Sequence, residues 1–290
     1  MTNTSSGTDG TLLVPVANAE TATRQLETAI DIARDRSYRI RLLYVLAVPA
    51  QLSLVDGRRY LLESEDERML EEAVRTVESR DVPADSRIRV ARGVATGIAG
   101  AVDVYETDAI LMGWRGRPPR PEIILGTHLD RVLRTADCDV LVERIRTPRP
   151  AVDDVLVPVA DGPHDEFAVE TAGAIARQRD ASVTLLHVYS PSDPVLDRSD
   201  AESRLVEATA EFADDRSVDR ELVEADDVAG TITDWTTDHD VTLLGVSRGG
   251  LLRRTLLGTI SEAVGRHAAG SVILARRYDP VPSRLRRLVS

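Results

Sequence analysis

Gly113-Trp-Arg-Gly116, followed by nine residues and then Gly126-Thr127, is the stretch that decides the fold. It follows an apolar run, Ala109-Ile-Leu-Met112, and it opens a segment with helical periodicity. A strand, a glycine loop and a helix in this order can surround a phosphate, because glycine permits close approach and the first helical turn has unpaired N–H groups. The stretch predicts a phosphate-binding loop at the end of a buried strand.

The same stretch recurs later in the chain as Gly245-Val-Ser-Arg248, nine residues and Gly258-Thr259. Two strand-like runs also recur: Leu13-Val-Pro-Val16 returns as Leu156-Val-Pro-Val159, and Leu42-Leu-Tyr-Val45 returns as Leu185-Leu-His-Val188. A repeat of this size is a whole domain, and 290 residues fit two domains. We expect the first domain over residues 10–146, the second over 153–277, and a linker from Arg144 to Val152.

Strand-like runs alternate with helical segments in both halves, which predicts parallel strands joined by right-handed crossovers. The runs are continuously apolar, as expected for strands that are covered on both faces. The fold class is therefore α/β, with two tandem five-stranded doubly wound parallel-sheet domains. Within the first half, a long charged helix is predicted over Leu61–Ser79, and the polar residues 1–9 are predicted to be disordered.

Charge and composition narrow the class of protein. The net charge is −12 and all 36 basic residues are arginine, since the chain has no lysine. An acidic, lysine-free surface resembles that of proteins from salt-accumulating archaea, and we infer a haloarchaeal cytoplasm. Such a charge disfavours nucleic acid as a partner. With no apolar run long enough to span a membrane and no signal peptide, we expect a cytoplasmic protein.

Residues with catalytic or metal-binding chemistry form no familiar pattern. The five histidines lack metal-ligand spacing, Cys138 is the single cysteine, and the absence of lysine excludes a P-loop NTPase. No nucleophile stands beside a base. We therefore predict no catalytic residues, no metal site and at most weak ATP hydrolysis.

The repeated glycine motif and the matching strands resemble those of the universal stress protein family, as two tandem copies. The resemblance implies a five-stranded nucleotide-binding alpha hydrolase-like domain that binds ATP, with Mg²⁺ as an optional companion. Members of the family dimerise through the last strand, so a tandem chain would form an internal pseudo-dimer. A further homodimer through exposed helices stays open.

The resemblance also implies which residues bind the nucleotide. ATP-binding members carry Asp just after the first strand; Ala17 and Ala160 stand there, and the residue following each is taken as its substitute. In the first copy the implied nucleotide-binding residues are Asn18, Val45, Gly113, Gly116, Gly126 and Thr127. In the second copy they are Asp161, Val188, Gly245, Gly258, Thr259 and Ser261.

Three hypotheses follow for function. The first is a stress-response regulatory protein that binds ATP or a related adenine nucleotide and thereby changes its affinity for an unidentified protein partner. The second is a nucleotide-free interaction module, in one version the companion of a membrane transporter. The third is a weak ATPase.

Overall fold

A computed structural model describes residues 8–114, 127–144, 151–192, 198–212, 218–246 and 259–279. The first half contains β1 (Gly10–Val16), α1 (Ala19–Asp35), β2 (Tyr38–Ala47), α2 (Leu54–Leu61), α3 (Ser64–Glu78), β3 (Ala84–Ala91), α4 (Val94–Val104), β4 (Ala109–Trp114), α5 (Thr127–Thr135) and β5 (Asp139–Arg144). The second contains β6 (Asp154–Pro158), α6 (Pro163–Arg179), β7 (Ser182–Tyr189), α7 (Arg198–Thr209, then a 3₁₀ turn), β8 (Val218–Glu224), α8 (Val228–Trp235), β9 (Val241–Gly245), α9 (Thr259–His267) and β10 (Ser271–Arg276).

The strands form one ten-stranded sheet in the order β3-β2-β1-β4-β5-β10-β9-β6-β7-β8. Pairing is parallel within each half, whereas β5 and β10 pair antiparallel, with Val142 opposite Leu274. The predicted fold class is confirmed. The two copies join through their last strands, as the internal pseudo-dimer requires.

Helices cover both faces of the sheet. One apolar core lies under α1, α3, α6 and α7, and the other lies under α4, α5, α8 and α9. Leu12 and Leu13 are adjacent in β1 and both are fully buried, one in each core. This double burial explains why the strands are continuously apolar rather than alternating.

The predicted helix over Leu61–Ser79 is wrong in its start, because two helices occupy this region. Leu62 is extended and ends α2, and Asp66 accepts a hydrogen bond from the Glu63 backbone N–H at 3.1 Å to begin α3. Ser53 directly precedes α2, and its hydroxyl accepts from the Asp56 N–H at 3.0 Å, the reverse direction of the bond at α3. These capping patterns are visible in the sequence and mark helix starts.

The linker also begins later than expected. Arg144 is the last residue of β5, and only 4% of its surface is exposed. The rest of the predicted linker up to residue 150 lies outside the described residues, as do residues 1–7 of the predicted disordered start.

Arg144 connects the two copies through the end of a helix. Its guanidinium donates to the backbone carbonyl of Gly265 and, at 3.1 Å, to that of Ala268, at the carboxyl end of α9. It also lies 5.8 Å from the centre of the Trp114 ring. The cation therefore satisfies helix-end carbonyls that have no partner within the helix.

Arg276 does the same in the opposite direction. From the end of β10 it donates to the carbonyls of Ala136 at 2.8 Å and Cys138 at 2.5 Å, just past the end of α5. Each copy thus provides an arginine that donates hydrogen bonds at the carboxyl end of the last helix of the other copy.

Helices α1 and α6 also form ion pairs between the two copies. Arg179 lies 2.9 Å from Glu27, and Arg36 lies 3.8 Å from Glu170. Arg179 additionally pairs with Asp31 at 2.7 Å, and burial raises the pKa of Asp31 to about 6 despite this partner. The interface is therefore charged on the helices and apolar within the sheet.

Glu143 is a buried carboxyl in the middle of this interface. Thr28 donates to its Oε1 at 2.9 Å, and its Oε2 has no partner among the described residues. Burial raises the pKa of Glu143 to about 8, with a smaller contribution from the charge of Asp31. The folded chain therefore holds this carboxyl in its protonated form at neutral pH.

We expect Arg144→Ala to lower the free energy of unfolding by about 2–4 kcal/mol, because it leaves two helix-end carbonyls without their buried donor. Guanidinium-induced unfolding measures the change. Arg134→Ala, which removes an exposed pair with Asp130 on α5, is the control and should cost less than about 0.5 kcal/mol. Equal effects of the two variants would contradict this account of the interface.

We expect Glu143→Gln to remove part of the pH dependence of stability. An unfolded glutamate releases its proton near its usual pKa of 4.5, whereas folded Glu143 keeps it up to about pH 8, so stability falls as pH rises between these values. The variant should therefore gain about 1–3 kcal/mol over the wild type at pH 8 and little at pH 5. Thermal unfolding at both pH values checks this; a gain that is the same at pH 5 would refute it.

Candidate functional site

The candidate sites lie where the strand order reverses within each copy. From β1 the chain crosses to β2 on one side, and from β4 it crosses to β5 on the other, so a crevice opens between the carboxyl ends of β1 and β4. The same crevice lies between β6 and β9 in the second copy. Leu13 of β1 pairs with Ile110 of β4 in parallel register. Three residues further along both strands, the same register places Val16 beside Gly113.

In the first copy, Gly113 borders the amide of a helix residue. The Gln25 side chain of α1 is buried and donates from Nε2 to the Leu111 carbonyl at 2.5 Å. Its Oε1 would lie 3.1 Å from a Cβ at position 113. Gly113 itself is half-buried, so the crevice beside it is partly open, and Gly113 is paired in the sheet with Glu143 of β5.

Asn18 and Val45 lie at the same edge of the sheet. Asn18 directly precedes α1 and accepts the first helical hydrogen bond, from the Ala22 N–H at 3.0 Å. The pairing of β1 with β2 ends at Val16 and Tyr44, so Val45 is the first β2 residue beyond β1. Its side chain packs against Gly97 of α4.

In the second copy, the first turn of α6 covers the glycine at the end of β9. A Cβ at Gly245 would lie 2.7 Å from the backbone nitrogen of Asp165 and 2.8 Å from the carbonyl carbon of His164. Ser261 of α9 donates to the Gly245 carbonyl at 3.0 Å and is itself buried. Gly245 is therefore enclosed on two sides, in contrast to Gly113.

The turn that leads into α6 fixes this arrangement. Gly162 precedes the helix with φ +121°, a conformation that side-chain-bearing residues rarely adopt, and Pro163 begins the helix. The Arg277 backbone N–H donates to Nδ1 of His164 at 3.1 Å, which joins the start of α6 to the end of β10.

Carboxylates line a cavity of about 210 Å³ between this turn and α7. Burial raises the pKa of Asp165 to about 7, the charges of Asp161 and Glu166 act in the same direction, and Arg204 and a hydrogen bond from the Gly245 backbone oppose them. Asp161 is exposed and lies 3.7 Å from Arg204. This cavity between the start of α6 and α7 is thus acidic.

Some of the remaining predicted site residues lie in the described part of the chain, and the others lie outside it. Val188 is buried in β7, and Thr127 and Thr259 are the first residues of α5 and α9. Gly116, Gly126 and Gly258 lie outside the described residues. The described part of each crevice therefore brings together the strand-end positions, and the two threonines begin the helices that follow the motif.

Two residues at the crevices were missed from sequence. Gln25 and Asp165 lie on helices after the first strand of their copies, far in sequence from the glycines that they contact. The sequence does contain a sign of Asp165. When the two copies are aligned through their matched strands, position 165 carries a charge where the first copy has Ala22. Trp114, the residue after Gly113, is only 7% exposed, and its ring packs near Gly265 of the other copy.

Within the described parts of the chain, no helix is long and apolar enough to cross a membrane. The same residues contain no group of three His, Cys, Asp or Glu side chains that could hold a metal ion.

Comparisons of the sequence and of the structure with known proteins indicate the same family. The model of the Universal stress protein family matches residues 10–144 and 152–276. A universal stress protein of Mycobacterium tuberculosis is 26% identical over 272 residues, which cover 92% of this chain and 96% of that protein. The crystal structure of a universal stress protein from Archaeoglobus fulgidus superposes with a TM-score of 0.68 at 19% identity, covering 94% of this chain and 98% of that one.

A transport protein is also similar to the chain. A Na⁺/H⁺ antiporter of Synechocystis is 24% identical over 272 residues, which cover 91% of this chain. The chain spans 38% of the length of that antiporter.

We expect the two strand-end glycines to respond differently to the same substitution. Gly245→Ala places a Cβ against α6 backbone, which cannot move as a side chain can, and should cost about 2–4 kcal/mol of stability. Gly113→Ala meets only the end of the Gln25 side chain and should cost less than about 1 kcal/mol. Chemical denaturation of both variants measures the difference, and a larger cost at position 113 would contradict the geometry.

Proposed function

Because the chain belongs to the universal stress protein family, we propose that it binds ATP or a related adenine nucleotide at the crevice of its first copy. The observation that supports this most is the position of the motif: Gly113 is the last residue but one of β4, at the point of reversed strand order, and α5 begins at Thr127. Ligands of open α/β sheets bind at such points, and a helix start provides N–H donors for phosphate.

Each residue of the first copy has a role in this proposal. Gly113, Gly116 and Gly126 let the backbone approach the ribose and phosphates, and Thr127 offers a hydroxyl at the start of α5. Asn18 and Val45 border the adenine end, where an amide can replace the carboxylate of other members. Mg²⁺ would accompany the phosphates rather than occupy a protein site. The corresponding second-copy set is Asp161, Val188, Gly245, Gly258, Thr259 and Ser261.

Occupancy of the crevice would act through the helices around it. The start of α1 borders the site, and α1 carries Glu27, Asp31 and Asp35, which pair with α6 of the other copy. A nucleotide that orders the start of α1 would therefore alter the surface shared by the copies, and this surface would report the nucleotide to a cytoplasmic partner during stress.

A transporter is the second candidate partner. The similarity to a Na⁺/H⁺ antiporter covers nearly the whole of this chain but a minor part of the antiporter, so the shared part is compatible with a regulatory unit of a transport system. In this version the chain acts as a companion of a membrane protein, with or without nucleotide.

We expect the protein, purified in molar KCl and then denatured, to release an adenine nucleotide that mass spectrometry identifies. Gly126→Asp should abolish binding of added ATP–Mg²⁺ to the first copy, because a carboxylate would lie where phosphate binds. Gly258→Asp is the matched control and should leave that binding intact. An empty protein that also fails to bind added ATP would refute the nucleotide proposal and favour the interaction module.

A further inference from the structure

Helix α2 exposes most of its apolar side chains to solvent. In the described part of the chain six large apolar residues are exposed, and four of them belong to this eight-residue helix: Leu54, Val55, Tyr60 and Leu61. Val55 is 79% exposed and Tyr60 is 66% exposed. Single exposed apolar residues are ordinary on a protein surface, whereas a cluster on one short element marks a contact surface.

Packing within the chain does not account for α2. Its one buried residue is Gly57, where an added Cβ would overlap the Val48 side chain, and its exposed apolar residues belong to neither core. A helix of eight residues is marginal in water unless packing stabilises it. The helix also lies in the longer of two corresponding connections: residues 48–63 separate β2 from α3, whereas residues 190–197, half as many, separate β7 from α7. The first copy therefore carries an additional element that leaves its apolar side uncovered.

Hydrogen bonds nevertheless fix the position of α2. Arg92, directly after β3, donates from Nη1 to the carbonyls of Pro49 at 2.6 Å and Leu52 at 2.7 Å, in the segment that enters the helix. The Ser53 cap then sets the first turn. The exposed apolar residues are thus held in one arrangement before any partner binds, which lowers the entropic cost of docking.

The charges around these apolar residues differ between α2 and α3. Arg58 and Arg59 are exposed on α2, and within the described residues neither forms an ion pair with a carboxylate. The start of α3 is acidic, with four exposed glutamates: Glu65, Glu67, Glu71 and Glu72. A groove of about 490 Å³ runs between the two helices, and its lining residues are Leu54, Val55, Arg58, Arg59, Leu62 and Glu67. One groove therefore combines an apolar stretch, a basic side and an acidic side.

We propose that this groove is the contact surface of a homodimer, in which each chain lays its α2 in the groove of the other. A two-fold axis repeats every contact, so such a surface has to be complementary to itself. The groove meets this condition, because the arginines of one α2 come to lie against the acidic start of the other chain's α3. The exposed apolar residues of both chains are then buried between them. This inference goes beyond the proposed function and does not depend on nucleotide binding.

The acidic start of α3 argues against a lipid surface as the occupant. An anionic membrane attracts the arginines of α2, but it repels the glutamates beside them and the net charge of −12. A second copy of the chain offers an acidic surface to the arginines and a basic surface to the glutamates. It is therefore the occupant that the groove fits.

The test is the association state of the full chain, measured by sedimentation equilibrium in molar KCl up to about 0.1 mM, which saturates a contact of micromolar affinity. We expect the wild type to dimerise. Val55→Glu should raise the dissociation constant at least about tenfold, because it buries a charge in the contact. Val206→Glu is the matched control, since it places the same charge at an exposed valine of α7, and it should leave the dimer unchanged. Thermal unfolding verifies that both variants fold.

Charge reversal tests how the two chains face each other. Arg58→Glu/Arg59→Glu and Glu67→Arg/Glu71→Arg should each weaken self-association at least about tenfold, because every dimer then brings like charges together. An equimolar mixture of the two variants should recover the dimer, since both contacts of a mixed pair join opposite charges. This measurement uses the lowest KCl concentration that keeps the chains folded, because salt screens charges.

Three results would overturn the proposal. A wild type that stays monomeric does so, whatever else α2 binds. A dimer that Val55→Glu leaves intact does so as well, because the chains then meet elsewhere. Charge-reversed variants that fail to associate when mixed refute the reciprocal arrangement. Each of these results leaves the proposed nucleotide binding untouched, so the two proposals fail separately.

Discussion

The antiparallel pairing of β5 with β10 is the contact on which the rest of the structure depends. It converts two parallel sheets into one, and it brings Arg144 and Arg276 under the last helix of the opposite copy. A buried guanidinium is costly to desolvate, and the hydrogen bonds that Arg144 donates to the carbonyls of Gly265 and Ala268 offset this cost. The last helix of each copy, whose first residue follows the glycine motif, is thus held at its far end by the other copy. The position of the helix beside each crevice therefore depends on both copies.

Near-symmetry makes the differences between the copies informative. The arginine exchange and the ion pairs between α1 and α6 are repeated in both directions, so the framework treats the copies alike. At the crevices the copies diverge: Gly113 borders an amide, whereas Gly245 borders a carboxylate and helix backbone. Because the frameworks match, this divergence is confined to a few side chains at the strand ends.

The sequence predicted the features that repeat or that follow a local pattern. The duplicated motif and strands gave the tandem doubly wound fold, and the family resemblance gave the pairing of the last strands; the structure and the comparisons confirm both. The break at Leu62 was missed because the helical periodicity continues across it, although the capping residues Ser53 and Asp66 mark the starts. The contacts of Gln25 and Asp165 with the glycines were out of reach, since they join residues distant in sequence and depend on how close a helix approaches a strand. The nucleotide-binding roles themselves remain predictions.

The end strands of the sheet determine how the molecule meets its neighbours. Only β3 and β8 lie at the ends of the ten-strand order, and both are interrupted by charged residues: Asp85, Arg87 and Arg89 in the first, and Asp219, Arg220 and Glu221 in the second. Strands of this kind are poor templates for another chain, because each charge would have to be covered when a new strand is added. The apolar strand β5, in which Val140, Leu141 and Val142 are fully buried, pairs along one edge with β4 and along the other with β10. Separating the two copies would therefore expose the backbone edges of β5 and β10, which the tandem chain pairs with each other by covalent linkage.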